Sequence, residues 1–165
     1  MRKVVCLIVL MSILLGSCGV YSFTGANIEG KNIYIHVMEN RARNVVPTLS
    51  PTLTDKIRSR ILSQTGLSPV TTDNADYDLS GSITSYEVTV AGVQNTQQAI
   101  KNRLTISVSV SFKNRLNDKN SFEQSFTRFS DFDASQNLQN VQAGLIEDIG
   151  NQLADDIFNK AFVNW

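Results

Sequence analysis

The sequence predicts an α/β (α+β) two-layer sandwich, a mixed sheet of about four strands with two helices on one face, in the order β-α-β-β-β-α. Three observations carry this. Leu104, Ile106, Val108, Val110 and Phe112 alternate with Thr105, Ser107, Ser109, Ser111 and Lys113, the period of a strand with one apolar face and one covered in hydroxyls. Leu53, Ile57 and Ile61 recur every four residues, as do Val141, Leu145, Ile149, Leu153 and Ile157, the spacing of helices lying on a core. At 165 residues the chain has the length of one domain.

Each element has its own signal. Residues 33–38 are rich in β-branched and aromatic side chains and form the first strand. A loop over 39–49 carries Arg41 and Arg43, and Ser50 followed by Pro51 predicts a capped helix start, with Gly66 as its stop. Segment 77–90 reads as a long strand in which Leu79, Gly81 and Ile83 keep one phase and Tyr86, Val88 and Val90 the other. A bulge near Ser85 is therefore expected. Residues 91–100 read as a polar loop, 117–120 as a turn, and 121–132 as a strand forming a hairpin with the alternating one. Capping residues over 133–137 precede a final helix over 138–159, where Gly144 and Gly150 suggest close approach of the backbone to the sheet. With both helices on one face, the other face is left mostly polar.

The first 31 residues lie outside this pattern. Arg2-Lys3, an apolar run over 4–15 and the small residues Gly16-Ser17 form a targeting signal over 1–17, too short for a permanent span. Leu15-Gly16-Ser17-Cys18 resembles the lipobox of bacterial lipoproteins, which implies cleavage before Cys18 and lipid on its thiol. Residues 18–31 are then a lipidated N-terminus and tether, with Tyr21 and Phe23 expected to dock on the domain or to sit near lipid head groups, docking being the plainer reading, and 32–165 the single domain. Cys6 leaves with the signal, so the mature chain has one cysteine and no internal disulfide. Loss of Arg2 and Lys3 leaves 13 basic residues against 15 acidic ones, a net charge of −2, which argues against a nucleic-acid partner.

Catalytic designs find little material. His36 is the one histidine, and no strand-turn-helix Gly-x-Ser-x-Gly surrounds any serine, so a nucleophile-histidine site is disfavoured. The chain lacks the clustered His and Cys of a zinc site, and Asp73, Asp76 and Asp78 do not have calcium-loop spacing. Asp131 and Asp133 share a strand face and are expected to bond turn or helix-start amides. The reading is of a protein that is no enzyme and has no cofactor. Of the basic residues, Lys56 and Arg60 share a helix face, while Arg41, Arg43, Lys101 and Arg103 are better placed to meet a phosphate.

Several segments together resemble the LptE family of lipopolysaccharide-assembly lipoproteins. They are Cys18-Gly19-Val20-Tyr21-Ser22-Phe23-Thr24-Gly25, Pro47-Thr48-Leu49-Ser50, Asn102-Arg103-Leu104-Thr105, the strand over 122–132, Asp156-Ile157-Phe158-Asn159-Lys160 and Trp165. The resemblance implies an outer-membrane lipoprotein seated in the lumen of the LptD β-barrel translocon, which it helps to assemble and plugs, and contact with lipopolysaccharide. On that expectation Thr105, Ser107, Ser109 and Ser111 form the barrel-facing surface, and Arg41, Arg43, Lys101 and Arg103, chosen on charge and position, meet the lipid. The competing reading is a stand-alone lipoprotein that binds an anionic lipid as a carrier or envelope sensor.

Overall fold

The computed structural model describes residues 28–93 and 99–163. The lipobox, Cys18, Tyr21, Phe23 and Trp165 lie outside the described residues. The strands are β1 (Asn32–Ile35), β2 (Glu39–Asn40), β3 (Ser68–Val70), β4 (Tyr77–Val93), β5 (Ala99–Asn114) and β6 (Phe122–Asp133), and the helices are α1 (Leu49–Thr65) and α2 (Leu138–Phe158). They form one sheet in the order β3-β1-β4-β5-β6, with β2 beside β4. β1 runs parallel to β3 and β4, and β4, β5 and β6 form an antiparallel meander. The sheet is mixed and carries both helices on one face, as expected, with β2 and β3 as strands beyond those predicted.

The apolar phase of each long strand faces the helices. Ile33 and Ile35, then Leu79 and Ile83, then Leu104 to Phe112 by alternate residues, are all buried against Leu53, Ile57, Ile61, Ile149, Leu153 and Ile157. The end of α2 closes this layer. Phe162, in the π-helical turn Asn159–Val163, meets Tyr77 and Phe112 edge-on at 5.4 Å, a favoured aromatic geometry. The predicted bulge is present, as a register shift between Ile83 and Ser85, and it keeps Tyr86 on the core side after Leu79 and Ile83.

Four expectations are corrected. Ser50 does not cap α1: the N-cap is Thr48, without a side-chain bond, while Ser50 Oγ donates to the Met38 carbonyl at 2.5 Å. Thr54 Oγ1 accepts the Met38 N–H at 3.0 Å, so two hydroxyls tie the helix start to the chain leaving β1. The chain over 91–100 is not wholly a loop, because β4 runs to Val93 and β5 starts at Ala99, giving a long hairpin near whose end Val88, Val90 and Ile100 are exposed. The α2 glycines do not approach the sheet: a Cβ on Gly144 would meet nothing within 4 Å, and one on Gly150 would meet Lys56 of α1. Asp131 bonds the Arg103 side chain rather than a backbone amide, whereas Asp133 does accept the Ser135 N–H at 2.8 Å.

Ion pairs fasten the helix layer from outside. Lys56 and Arg60 turn their shared face toward α2, where Lys56 reaches Glu147 at 2.6 Å and Arg60 meets Asp155. The ammonium of Lys56, hydrogen-bonded to Glu147, holds that carboxyl below the usual carboxylate range.

The open sheet face as candidate functional site

Antiparallel register places cross-strand partners on the same face, so the residues opposite the helices fall into rows. From one end these are Ser80-Ser111-Glu123, Ser82-Ser109-Ser125, Ser85-Ser107-Thr127, Glu87-Thr105-Phe129 and Thr89-Arg103-Asp131, ending at Lys101-Asp133. The predicted hydroxyl row of Thr105, Ser107, Ser109 and Ser111 therefore runs down the middle of this surface, half-buried between neighbours and turned away from the core. Ser107 Oγ and Thr127 Oγ1 are 2.8 Å apart, so hydroxyls bond across strands here.

The surface changes character along the strands. Toward the hairpin the hydroxyls give way to charge and one aromatic ring: Phe129 is 46% exposed, and the Arg103 guanidinium carbon lies 3.6 Å from its ring centroid. That guanidinium is also bidentate to Asp131, at 2.7 and 3.0 Å. Its hydrogen bonds hold the Asp131 carboxyl below the usual range, with a smaller contribution from Lys101. Asp133 is lowered chiefly by the Ser135 hydroxyl and amide.

The four predicted basic residues stand at two places along the sheet. The Arg41 N–H bonds the Ile83 carbonyl at 2.9 Å, and its guanidinium pairs with Glu39 at 2.6 Å, beside Ser80, Ser82 and Ser109. Arg43 is exposed at a depression of about 400 Å³ with Thr84, Ser85 and Glu87, and has no ion-pair partner among the described residues. Arg103 lies opposite Thr89, six residues beyond Ile83 and so about 20 Å along β4. Lys101 is exposed and has no ion-pair partner within 4.0 Å among the described residues. Arg41 and Arg103 are thus already paired with carboxylates, while Arg43 and Lys101 make no ion pair among the described residues.

Phe129 is what sequence reasoning missed. The signal was there: Phe122, Phe126 and Phe132 share the even phase of β6, and Phe129 alone breaks it. His36 and Asp78 sit on the same face at the end of the hydroxyl rows, Asp78 pairing in register with Lys113 next to Ser80-Ser111, with Nε2 and Oδ2 3.2 Å apart and the His36 ring 3.8 Å from that of Tyr34. No nucleophile stands within hydrogen-bond reach of the imidazole, and no group of three or more metal-ligating residues occurs among the described residues.

A broad polar face on a two-layer α+β domain is thus the surface to be explained. The model of the LptE family, Lipopolysaccharide-assembly, matches residues 30–161. The chain belongs to the LptE family. Solved structures carry the same fold at low identity. A minor lipoprotein from Acinetobacter baumannii is similar at 14% identity and TM-score 0.51, over 81% of this chain and 93% of its own. The rare lipoprotein B from Shewanella oneidensis is similar at 17% and 0.53, over 78% and 92%. A hypothetical protein from Chlamydia trachomatis, at 8% and 0.55, covers 80% and 98%. No match was found in the search of curated protein sequences.

This LptE-family chain has no helix among its described residues that is long and apolar enough to cross a membrane. Nothing in that bears on a barrel.

Proposed function

We propose that this LptE-family protein is a non-catalytic outer-membrane lipoprotein, anchored through lipid on Cys18, that sits in and plugs an LptD-type β-barrel and assists lipopolysaccharide transport to the cell surface. The observation that carries the reading is the open face of β4, β5 and β6. It is a sheet surface on which no helix lies among the described residues, built largely of hydroxyls, two of which bond across strands, and the lumen of an outer-membrane barrel is itself polar. Thr105, Ser107, Ser109 and Ser111 meet the barrel wall, with Phe129 and Arg103 as the best anchors on that face, since buried aromatic and arginine side chains dominate interface energetics. Arg43 and Lys101 offer unpaired charge to the phosphates of lipopolysaccharide, while Arg41 and Arg103 must first leave their carboxylates.

The test is co-purification. Ser107→Arg combined with Ser109→Arg leaves the domain folded, because both side chains point away from the core, but removes the large barrel from the tagged full-length protein extracted from outer membranes. A wild-type chain that comes out of outer membranes with no barrel attached sinks the reading. Mass analysis of the native N-terminus, expected to give an acylated Cys18, checks the anchor separately.

A further inference from the structure

The two edges of the sheet are unlike. β3, at one edge, has three residues and contains Pro69, the kind of short interrupted strand that discourages further pairing. β6, at the other, has twelve residues with neither proline nor lysine, and pairs with β5 from Phe122 to Asp133 without a register shift. Among the described residues nothing pairs with its outer side.

The phase of the ladder shows what that side presents. The Ala134 N–H donates to the Ile100 carbonyl at 3.2 Å, and this pair continues the register in which Lys101 faces Asp133. Bonded pairs alternate along an antiparallel ladder, so the even-numbered residues of β6 exchange hydrogen bonds with β5. The odd-numbered residues, among them Ser125, Thr127 and Phe129, turn N–H and C=O outward. A row of donors and acceptors at strand spacing is complemented by one chemistry, another extended polypeptide.

A groove accompanies the edge. Between β6 and the end of α2 lies a depression of about 420 Å³ lined by Gln124, Phe126 and Arg128 from the strand and by Asp156, Asn159 and Lys160 from the helix end. Arg128 and Asp156 lock to each other in a bidentate pair at 2.5 and 2.6 Å, which fixes the groove wall. Lys160 makes no ion pair among the described residues, its Nζ standing 5.8 Å from the Phe122 ring centroid. A strand added to β6 places alternate side chains over this depression, and an acidic one there meets Lys160.

We propose that the β6 edge and the flank of α2 form a strand-docking groove for an extended, acidic segment of the barrel subunit, a deepening that rests on the translocon reading above. The segment is not a strand of the barrel wall, because a closed barrel has no free edge to offer. It is a loop or a stretch outside the barrel.

The full-length lipoprotein co-expressed with the LptD-type barrel tests this. Ser125→Pro removes one outward N–H, breaks no bond to β5, and leaves the circular dichroism of the domain unchanged, yet lowers the barrel co-purified by about fivefold, as the loss of one interface hydrogen bond does. Lys160→Glu lowers it as well. A photo-crosslinker at Gln124, in an otherwise native chain, captures the barrel subunit at alternate residues of one acidic stretch outside the wall. Unchanged co-purification in folded Ser125→Pro, or crosslinks confined to wall strands, overturns the groove and leaves the translocon reading standing. Absence of the barrel from the wild-type preparation overturns both.

Discussion

The two faces of the sheet are made by the same strands and hold the molecule to different standards. On the helix face, Val108 and Val110 are fully buried and each methyl has neighbours on every side. On the open face, one residue along in the chain, Ser107 bonds Thr127 across the strands, Ser109 is half-buried, and neither carries any part of the core. The pleat thus confines the core to one parity of position and, on the function proposed above, leaves recognition to the other, so a substitution is read by the parity of its position before its chemistry.

The sharpest way to break that comparison is to exchange effects across it. Ile57→Ala, at a position of 0% exposure, is expected to cost about 2 to 5 kcal/mol in urea unfolding, and Ser109→Ala less than about 0.5 kcal/mol. Similar costs at both positions would mean that the hydroxyl face is as structural as the core. Gly81 is the next largest. A Cβ there would stand 2.5 Å from the Ser109 carbonyl oxygen and 2.9 Å from Met38 Sδ, so Gly81→Ala is expected to cost about 1 to 3 kcal/mol by the same measurement. Gly144 is the counter-case, exposed and with nothing near its missing Cβ, so Gly144→Ala is expected to raise stability by about 1 kcal/mol through helix propensity alone. A loss at Gly144 would point to a role for that glycine outside the fold.

How far the sequence carried this picture depends on period. β5 and the core stripes of α1 and α2 were legible because five or more turns of alternation, or three of helix, leave one physical solution. The bulge at Ser85 was legible for the same reason, as a break in a long rhythm. β2 and β3, of two and three residues, are too short to have a rhythm at all, and their pairing is decided by tertiary contacts with β4 and β1. Ser50 failed as a cap because the helix already begins at Leu49, which places Ser50 within the first turn, where its hydroxyl donates to the Met38 carbonyl. The basic residues were legible as charges but not as pairs. Asp131 lies 28 positions from Arg103, and only the register of β5 with β6 brings them together.

That pair sets the smallest expected effect and the one most specific to the open face. Its Asp131 carboxyl titrates below its unfolded value because Arg103 donates to the ionised form. Linkage then fixes the sign: the contribution to stability is present above the unfolded pKa, about 3.9, and is lost as pH falls through the lower folded value. Above about pH 5 it should be constant. Arg103→Ala is therefore expected to move the Asp131 carboxyl titration upward, seen by carbon-detected nuclear magnetic resonance, while leaving the urea midpoint at neutral pH nearly unchanged, since exposed pairs contribute little. The same change frees Phe129 of its guanidinium cover. If barrel association is unaltered by Arg103→Ala although the titration has moved, the charged end of the open face serves only to keep this exposed surface soluble, and recognition lies in the hydroxyl rows.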